Sequence, residues 1–466
     1  MKNSSCRYFV FILIASLLAT AGSFAQKPSS GPMGEILSMS DVHFDPFSDA
    51  TLVNTLITSG YASWEGIFKT SKKGPSKAGS DANYPLLVSA LKAMKQYMPN
   101  PRFIIITGDF LSHNFQCNYS SYGGQYPDSA RSFTAKTIQF VASMIKQYFP
   151  TAIVLPVLGN NDSDCPSHCG DYRLAPHSEF LAMFARAWVS LQQNGNPAVD
   201  SSFVEQFSRG GYYTYPFPNG GNNARLVMLN TVFFSAGYLN SCGNSSDTPA
   251  ADELAWLDSV MNAGRLANQP VWMASHIPPG IDVFSTLKGT DSCKANIKLM
   301  WLQQWNDQFL GTVVKNAPQI KAAFAGHTHM DEFRVVYDTG APVSFIHITP
   351  SISPYFGNNP AFQVISYDTT SLELQNVETY FLNQTQKKNT WDTEYNFQTT
   401  YNISSINAVT LDSLRQEMLT IPAYRNSYML YYKTSAPGGI TSATWPAYWC
   451  GTGALTQQDF YNCYCK

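Results

Sequence analysis

The stretch IKAAFAGHTH, residues 320–329, leads an apolar segment directly into two closely spaced histidines. The chain holds only eight histidines, so two of them within three positions need an explanation. A surface turn requires no imidazole, and a buried strand gains little from one. We therefore predict a buried strand at Ile320–Ala325, with His327 and His329 just past its carboxyl end.

Four other segments share this design, in which a largely apolar predicted strand is followed at once by polar residues. The strands and the residues after them are Glu35–Ser40 before Asp41 and His43, Phe103–Thr107 before Asp109, Ala152–Leu158 before Asn160, and Val271–Ser275 before His276. Helical periodicity lies between several of them, as at Tyr84–Tyr97 and Ser132–Tyr148. Strands buried between helices predict a layered α/β (α+β-type) fold, with its functional site where the carboxyl ends of the strands meet.

The residues at these five strand ends carry oxygen or imidazole donors, which are the ligands of zinc, manganese and iron. Each signal alone has an ordinary explanation, because Gly-Asp is a common turn and His276 can be a loop histidine. All five nonetheless occupy the same position relative to a strand. Seven donors are too many for one ion. They fit two ions about 3.5–4 Å apart that share a carboxylate, an arrangement that activates water for attack on phosphorus.

The amino terminus predicts export. Lys2 and Arg7 precede an apolar segment, and the small-x-Ala pattern at residues 23–25 predicts signal-peptide cleavage before Gln26, with an uncleaved anchor as the alternative. We assign residues 1–25 to the signal peptide and expect an extracellular, periplasmic or lysosome-like location. No stable membrane insertion is expected of the mature chain. It keeps 28 of the 30 basic residues (30 − 2) against 32 acidic ones, a net charge of −4 (28 − 32) that favours no nucleic-acid polymer.

The cysteine content fits an oxidising compartment. Nine cysteines become eight (9 − 1) when Cys6 leaves with the signal, and all eight are expected to form disulfides. The stretch Cys165–Cys169 is predicted to close a local disulfide rather than a zinc or redox motif. Cys450, Cys463 and Cys465 predict a stapled carboxyl-terminal tail. The sequons that would carry glycans in a eukaryotic host begin at Asn118, Asn244, Asn383 and Asn402.

The ordered pattern D-x-H, GD, GN-x-D/E, H and G-H-x-H, spread over residues 41–329, resembles that of the calcineurin-type metallophosphoesterases. Within them, the stretch GDFLSH at residues 108–113 and the cysteine-bearing tail are similar to the acid sphingomyelinase-like phosphodiesterases. The resemblance implies a β-sandwich flanked by helices. It also implies two divalent metal ions, with Zn²⁺ as the metal, and a phosphodiester hydrolase acting on sphingomyelin or on soluble nucleotide or choline diesters.

The resemblance also implies a role for each residue. Asp41, His43, Asp109 and His329 would hold one ion, and Asp109, Asn160, His276 and His327 would hold the other, with Asp109 bridging. His113, four residues after Asp109, would donate a proton to the leaving group. Asn161 stands where the family pattern has histidine; its amide can donate a hydrogen bond to phosphate but cannot transfer a proton.

Beyond the signal peptide, the sequence predicts two parts of the chain. A catalytic domain is expected at residues 26–390 and a small helical subdomain, stapled by disulfides, at residues 391–466. The apolar residues Leu411, Leu414, Met418 and Leu419 and the segment Tyr428–Tyr432 are interpreted as packing. The substrate is expected to be a small-molecule or lipid phosphodiester; oligomeric state is unassigned. One alternative is a hydrolase of phosphoanhydrides such as nucleotides or polyphosphate. A second, a purple-acid-phosphatase-like monoesterase, is disfavoured because no tyrosine closely follows Asp109. A third is a non-catalytic metal-binding protein.

Overall fold

The structure, a computed structural model, describes residues 32–123, 127–189, 197–218, 223–289, 293, 296–386 and 390–466. The predicted signal peptide therefore lies outside the described residues. No helix within the described ranges is both long and apolar enough to cross a membrane.

The described residues form twelve strands. They are β1 (Met33–Met39), β2 (Phe103–Ile106), β3 (Ile153–Pro156), β4 (Tyr213–Pro216), β5 (Arg225–Met228), β6 (Val271–Ala274), β7 (Ile320–Ala325), β8 (Glu332–Asp338), β9 (Ala341–Ile348), β10 (Ala361–Asp368), β11 (Leu374–Leu382) and β12 (Trp391–Asn396). Two six-stranded mixed sheets result, in the orders β12-β11-β10-β1-β2-β3 and β4-β5-β6-β7-β9-β8.

Helices connect and cover these strands. They are α1 (Val53–Thr58), α2 (Trp64–Phe68), α3 (Tyr84–Tyr97), α4 (Phe115–Gly123), α5 (Pro127–Tyr148), α6 (Glu179–Val189), α7 (Pro197–Gly210), α8 (Pro249–Leu266), α9 (Val283–Lys288), α10 (Gln303–Lys315), α11 (Phe397–Tyr401), α12 (Ala408–Thr420), α13 (Pro422–Tyr431), α14 (Trp445–Gly451) and α15 (Gln457–Tyr464). Helix α3 begins where the sequence predicts, because Asn83 accepts a hydrogen bond from the Leu86 amide and Pro85 suits the first turn.

The two sheets pack face to face through large aromatic side chains. The indole of Trp272 on β6 lies 6.0 Å from the ring of Phe103 on β2 and 5.0 Å from that of Tyr367 on β10, measured between centroids. All three are buried, and their rings meet at tilted or edge-on angles that favour aromatic contacts. The predicted β-sandwich flanked by helices is thus confirmed.

The five strands predicted to end in polar residues divide between the two sheets. β1, β2 and β3 are parallel neighbours in the first sheet, and β6 and β7 are parallel neighbours in the second. Parallel neighbours end at the same edge of a sheet, so the residues after them converge there. The candidate site is therefore built from two facing sheet edges rather than from one.

All eight predicted cysteines form disulfides, as expected of an exported chain. The predicted local bridge is wrong, however, because Cys165 pairs with Cys242 and Cys169 with Cys117. His168, Cys169 and Gly170 all have positive φ, and the resulting tight turn directs Cys169 to α4. The other pairs, in the carboxyl-terminal region, are Cys293–Cys465 and Cys450–Cys463.

The carboxyl-terminal region is helical from Phe397 onward and is fastened by these two disulfides, as predicted. Trp391–Asn396 forms β12, the edge strand of the first sheet, so the division of the chain at residue 391 stays a prediction. Leu411, Leu414 and Met418 are buried, whereas Leu419 is 47% exposed and does not belong to the packed stripe.

Candidate metal centre

The metal centre predicted from the sequence is assembled by loops with unusual backbone geometry. Five of the seven predicted ligands have a positive φ: Asp41 (49°), His43 (42°), Asp109 (55°), His327 (73°) and His329 (65°). This left-handed region costs non-glycine residues energy, so such residues persist only where the surroundings hold them. Their concentration at one place marks these strand ends as a functional site.

One group of ligands surrounds Asp41, which is fully buried. His329 Nε2 lies 3.4 Å and His43 Nε2 lies 3.7 Å from Asp41 Oδ1. The two imidazole nitrogens are 3.1 Å apart. Asp41 Oδ1 has no hydrogen-bond partner among the described residues, whereas Asp41 Oδ2 accepts hydrogen bonds from Ser40 Oγ and from the amide of His327. One carboxylate oxygen is thus left facing the two histidines.

The other group surrounds His276, also fully buried. His276 Nε2 lies 3.1 Å from Asn160 Oδ1 and 3.3 Å from Asp109 Oδ2. His327 completes the group, with ligand atoms of Asp109, His276 and His327 all within 4.8 Å of one another. Asp109 Oδ2 also lies 3.3 Å from His43 Nε2, so this one oxygen is equally distant from a histidine of each group. Asp109 is therefore placed as a bridging ligand would be.

The donor set fits cations. His43 Nδ1 lies 2.9 Å from the Leu111 carbonyl and His276 Nδ1 lies 2.6 Å from the Thr107 carbonyl, so each Nδ1 carries the proton. In the neutral rings both Nε2 atoms then present lone pairs to carboxylate or amide oxygens, which are acceptors as well. Such contacts require positive charge between them.

The pKa values of the side chains in the centre also indicate that positive charge is needed there. Burial opposes charge on Asp109, yet His276 and His43 hold its pKa well below the usual value. Burial likewise opposes charge on His43, but the neighbouring Asp109 raises its pKa to about 10. Protons on the histidines are one source of positive charge, and divalent cations are the other. These side chains are therefore suited to hold metal ions.

Two glycines let the loops approach closely enough. A Cβ on Gly159 would collide with Asp109, and a Cβ on Gly326 would collide with Ser40 and Asp41. Asp162 then ties the loops together: it accepts hydrogen bonds from the amides of Phe110 (2.7 Å) and Gly159 (2.8 Å). Asp162 is the last residue of the sequence pattern GN-x-D/E, a position for which the sequence alone predicts no role.

Asn161 lies against the bridging carboxylate. Its amide NH donates to Asp109 Oδ1 at 2.8 Å, and its side-chain Nδ2 donates to Asp109 Oδ2 at 2.9 Å. Asn160, in contrast, donates through Nδ2 to Asp171 Oδ1 at 2.7 Å. Because the NH₂ group points to Asp171, the amide oxygen of Asn160 is the atom that faces His276.

His113 lies beside the first group, and it has a partner that the sequence did not reveal. Its ring stacks between His43 (centroids 4.1 Å apart) and Tyr355 (3.8 Å). His113 Nδ1 lies 2.9 Å from Asp81 Oδ1, and its backbone amide donates to Asp81 Oδ2 at 2.8 Å. Asp81 lies in the long loop before α3, where nothing in the local sequence distinguishes it from a capping or turn residue.

A cavity of about 630 Å³ opens beside the metal centre. Asp109, His113, Asn161 and His327 are among the residues that line it. Tyr432 and Tyr448 from the carboxyl-terminal helices line it as well. The interpretation of Tyr432 as packing alone is therefore incomplete, because this side chain also faces the candidate substrate space.

Comparison with known proteins agrees with this architecture. The family profile described as calcineurin-like phosphoesterase matches residues 35–331, which is more than half of the chain. The chain belongs to this family. Its match contains all seven predicted ligands, and the predicted family resemblance is thereby confirmed.

Individual relatives point to one branch of the family. The chain is 25% identical to acid sphingomyelinase-like phosphodiesterase 3b of Mus musculus, over 86% of this chain and 83% of that protein. It is 27% identical to sphingomyelin phosphodiesterase B of Dictyostelium discoideum, over 89% and 61%. It is 24% identical to cyclic GMP-AMP phosphodiesterase SMPDL3A of Homo sapiens, over 90% and 87%.

Proposed function

We propose that this chain is an exported phosphodiesterase that uses two divalent metal ions, with Zn²⁺ as the resident metal, to hydrolyse a small-molecule or lipid phosphodiester. The observation that carries the proposal is the position of Asp109 Oδ2, 3.3 Å from histidines of both ligand groups. The broader class, a metal-dependent phosphodiester hydrolase, is confirmed by the family match and by the relatives.

The chain's own residues would hold the two ions as follows. Asp41, His43, Asp109 and His329 would bind one, and Asp109, Asn160, His276 and His327 would bind the other. When bound, such a pair of ions supplies an activated water nucleophile and offsets negative charge on the phosphoryl oxygens. In both His43 and His276, Nδ1 is hydrogen-bonded to a backbone carbonyl. This bond fixes each ring so that Nε2 faces the centre.

Proton transfer to the leaving group is assigned to His113. Its Nδ1 is engaged by Asp81, so Nε2 is the nitrogen left to give a proton to an alkoxide. Asp81 fixes the plane of the ring, the part that a carboxylate plays toward a catalytic histidine in other hydrolases. Asn161 would position phosphate and the bridging carboxylate by hydrogen bonds, without transferring a proton.

Export is part of the proposal. The disulfides Cys117–Cys169, Cys165–Cys242, Cys293–Cys465 and Cys450–Cys463 fit a secreted or lumenal protein. The signal peptide and glycans at the sequons belong to the same proposal.

The experiment that tests the function compares three chromogenic or phosphate-releasing substrates on one preparation. Mature protein reloaded with Zn²⁺ is given bis(4-nitrophenyl) phosphate, 4-nitrophenyl phosphate and ATP. We expect kcat/KM to be highest for the diester and turnover to disappear after chelation. Faster phosphate release from ATP would replace the proposal with a phosphoanhydride hydrolase. Phosphocholine release from sphingomyelin micelles, measured in parallel, separates a lipid substrate from a soluble one.

A further inference from the structure

The connection between β9 and β10 contacts the metal centre. We call residues 351–355 of this connection the bracing segment. Its residues Ser351 and Ser353 are fully buried, and its Tyr355 stacks on the ring of His113 with centroids 3.8 Å apart. None of the three is a predicted metal ligand or proton donor. The hydrogen bonds of the segment nonetheless lead to both kinds of residue.

The backbone of the bracing segment is joined to the first group of metal ligands. The amide of Ser353 donates a hydrogen bond to the Asp41 carbonyl at 3.0 Å. The amide of Ser351 donates to the His329 carbonyl at 3.4 Å. Because both contacts are made by backbone atoms, a change of side chain at Ser353 leaves them available. The segment therefore has a fixed position beside the ligands Asp41 and His329.

The side chain of Ser353 contacts the partner of the proton donor instead. Its Oγ donates to Asp81 Oδ1 at 3.1 Å. The other two hydrogen bonds of this carboxylate both come from His113, whose Nδ1 lies 2.9 Å from Asp81 Oδ1 and whose amide donates to Asp81 Oδ2 at 2.8 Å. Ser353 is therefore the residue that fixes the Asp81 carboxylate to a second part of the chain.

Asp81 accepts these hydrogen bonds as a charged group. Burial opposes the charge of the carboxyl group, but the hydrogen bond and the charge of His113 hold its pKa below the usual value. A carboxylate can only accept hydrogen bonds, so the Ser353 hydroxyl has to donate. A bond to a charged acceptor is stronger than one between neutral groups. The Ser353 hydroxyl is thus suited to restrain the orientation of Asp81.

Neighbouring contacts support the one between Ser353 and Asp81. The amide of Gly79, two residues before Asp81, donates to the Pro354 carbonyl at 3.0 Å. The Ser353 carbonyl accepts a hydrogen bond from Asn358 Nδ2 at 3.1 Å. The loop that carries Asp81 and the bracing segment are thus joined by backbone and side chain, which gives the Ser353 hydroxyl a defined position.

From these contacts we propose that Ser353 is a positioning residue for proton transfer to the leaving group: it holds the Asp81 carboxylate, which in turn holds the His113 ring. The inference rests on the proposed function, in which His113 gives the proton. Without the Ser353 hydroxyl, Asp81 keeps only its hydrogen bonds to His113, so the carboxylate and the ring can turn together away from the leaving group. The loss should appear where the leaving group needs a proton and not where it departs unaided.

The test compares two diesters on one preparation of the mature protein loaded with Zn²⁺. Bis(4-nitrophenyl) phosphate releases 4-nitrophenolate, which departs without a proton. Diphenyl phosphate releases phenoxide, a poorer leaving group that gains more from protonation. The quantity measured is the kcat for the first diester divided by the kcat for the second. Inactive protein lowers both rates equally, so incomplete folding of a variant does not change this ratio.

Single variants assign the effect to the Ser353 hydroxyl. Ser353→Ala should raise the ratio roughly tenfold, the factor that corresponds to one hydrogen bond to a charged group. Its Zn²⁺ content should stay at the wild-type level, because the contact with Asp41 is made by the backbone. Ser353→Thr keeps a hydroxyl and should return the ratio toward the wild-type value. Ser38→Ala is the matched control: it removes a fully buried serine hydroxyl that lies 2.7 Å from Thr349 Oγ1, and it should keep the wild-type ratio.

A double variant shows whether Ser353 acts through Asp81. We expect Asp81→Asn to raise the ratio on its own. Adding Ser353→Ala to Asp81→Asn should then change the ratio by less than about twofold, because the contact that Ser353 restrains is already impaired. Two residues that act independently would multiply their effects.

The outcomes separate this inference from the function on which it rests. An unchanged ratio in Ser353→Ala, whether both rates are retained or fall equally, would overturn the inference and leave the phosphodiesterase standing. Multiplied effects in the double variant would also overturn it, because Ser353 would then act independently of Asp81. Wild-type protein that holds two ions and hydrolyses neither diester would overturn the proposed function and the inference together.

Discussion

The side-chain nitrogen Nδ2 of Asn160 donates a 2.7 Å hydrogen bond to Asp171 Oδ1. This contact turns the side-chain oxygen of Asn160 toward His276 Nε2, 3.1 Å away. An asparagine can bind a metal ion through oxygen but not through its NH₂ group. Asp171 therefore decides which atom Asn160 presents. The loop that carries Asp171 is held by Cys165–Cys242 and Cys117–Cys169, so the disulfides of the chain support the metal centre.

Removing the Asp171 side chain should weaken the binding of one metal ion and not of the other. We expect Asp171→Ala to raise the dissociation constant of the ion held by Asn160, His276 and His327 by ~10–100-fold, the usual cost of losing a residue that orients a ligand. Asp171→Asn, which keeps an acceptor oxygen, should lose less. Competition with a chromogenic chelator measures both constants. The control is Asp307→Ala, which changes an exposed residue of α10. An equal rise in the dissociation constants of both ions in Asp171→Ala would contradict the assignment.

The pair formed by Asp81 and His113 should matter most when the leaving group is poor. A 4-nitrophenolate departs without a proton, whereas an alkoxide needs one. We expect His113→Gln to lower kcat by ~10²–10⁴-fold on a dialkyl phosphate and by far less on bis(4-nitrophenyl) phosphate. Asp81→Asn should show the same pattern with a smaller loss.

The matched comparison for this pair is Asp307→Asn, which should leave both rates at the wild-type level. A uniform loss on both substrates in the Asp81 and His113 variants would mean that the pair supports the structure of the site and donates no proton.

The sequence was sufficient to predict the polar residues at the strand ends, because the pattern that indicates them is local. Ile320–Ala325 and Phe103–Ile106 are apolar runs of strand length, and the chain must place the polar residues that follow them at a sheet edge. Asp81 and Asp171 carry no such signal: each lies in an irregular loop, and its role arises from a side chain 32 or 11 residues away. Long-range contacts of this kind are fixed by tertiary packing.

The pairing of Cys165 and Cys169 and the position of Tyr432 at the cavity escaped prediction for a related reason. Cys165 and Cys169 are close in sequence, but the strained turn between them sends each to a different partner. Tyr432 lies in an apolar helical segment that resembles a packing surface, and 8% exposure agrees with that interpretation. Only the approach of α14 and β8 shows that the same side chain also borders the cavity.

Glu253 on α8 should give the fold a pH dependence of its own. The side chain is fully buried; its Oε1 accepts from the Asn230 amide at 2.7 Å, and its Oε2 has no partner among the described residues. Burial raises its pKa well above 4.5 in the folded state. The fold therefore favours the protonated form. Its contribution is fully present below the unfolded pKa of about 4.3 and is lost as the pH rises through the folded pKa.

The measurement is the free energy of unfolding against pH for the wild type and Glu253→Gln, which mimics the protonated side chain. We expect the variant to lose stability less steeply than the wild type as the pH rises from about 4.3. Glu417→Gln should follow the wild-type curve. A steeper decline in Glu253→Gln would show that Glu253 is charged in the fold.

The most direct test of the central claim is the metal content and diester turnover of Asp109→Asn beside the wild type. The variant keeps the size of the side chain but removes the charge of the oxygen that lies between His43 and His276. In the wild type we predict two bound equivalents of Zn²⁺ and turnover of bis(4-nitrophenyl) phosphate. In Asp109→Asn we predict the loss of at least one equivalent of Zn²⁺ and the loss of turnover. A variant that retains two equivalents and near-normal turnover would show that Asp109 bridges nothing, and the two-metal account would fail.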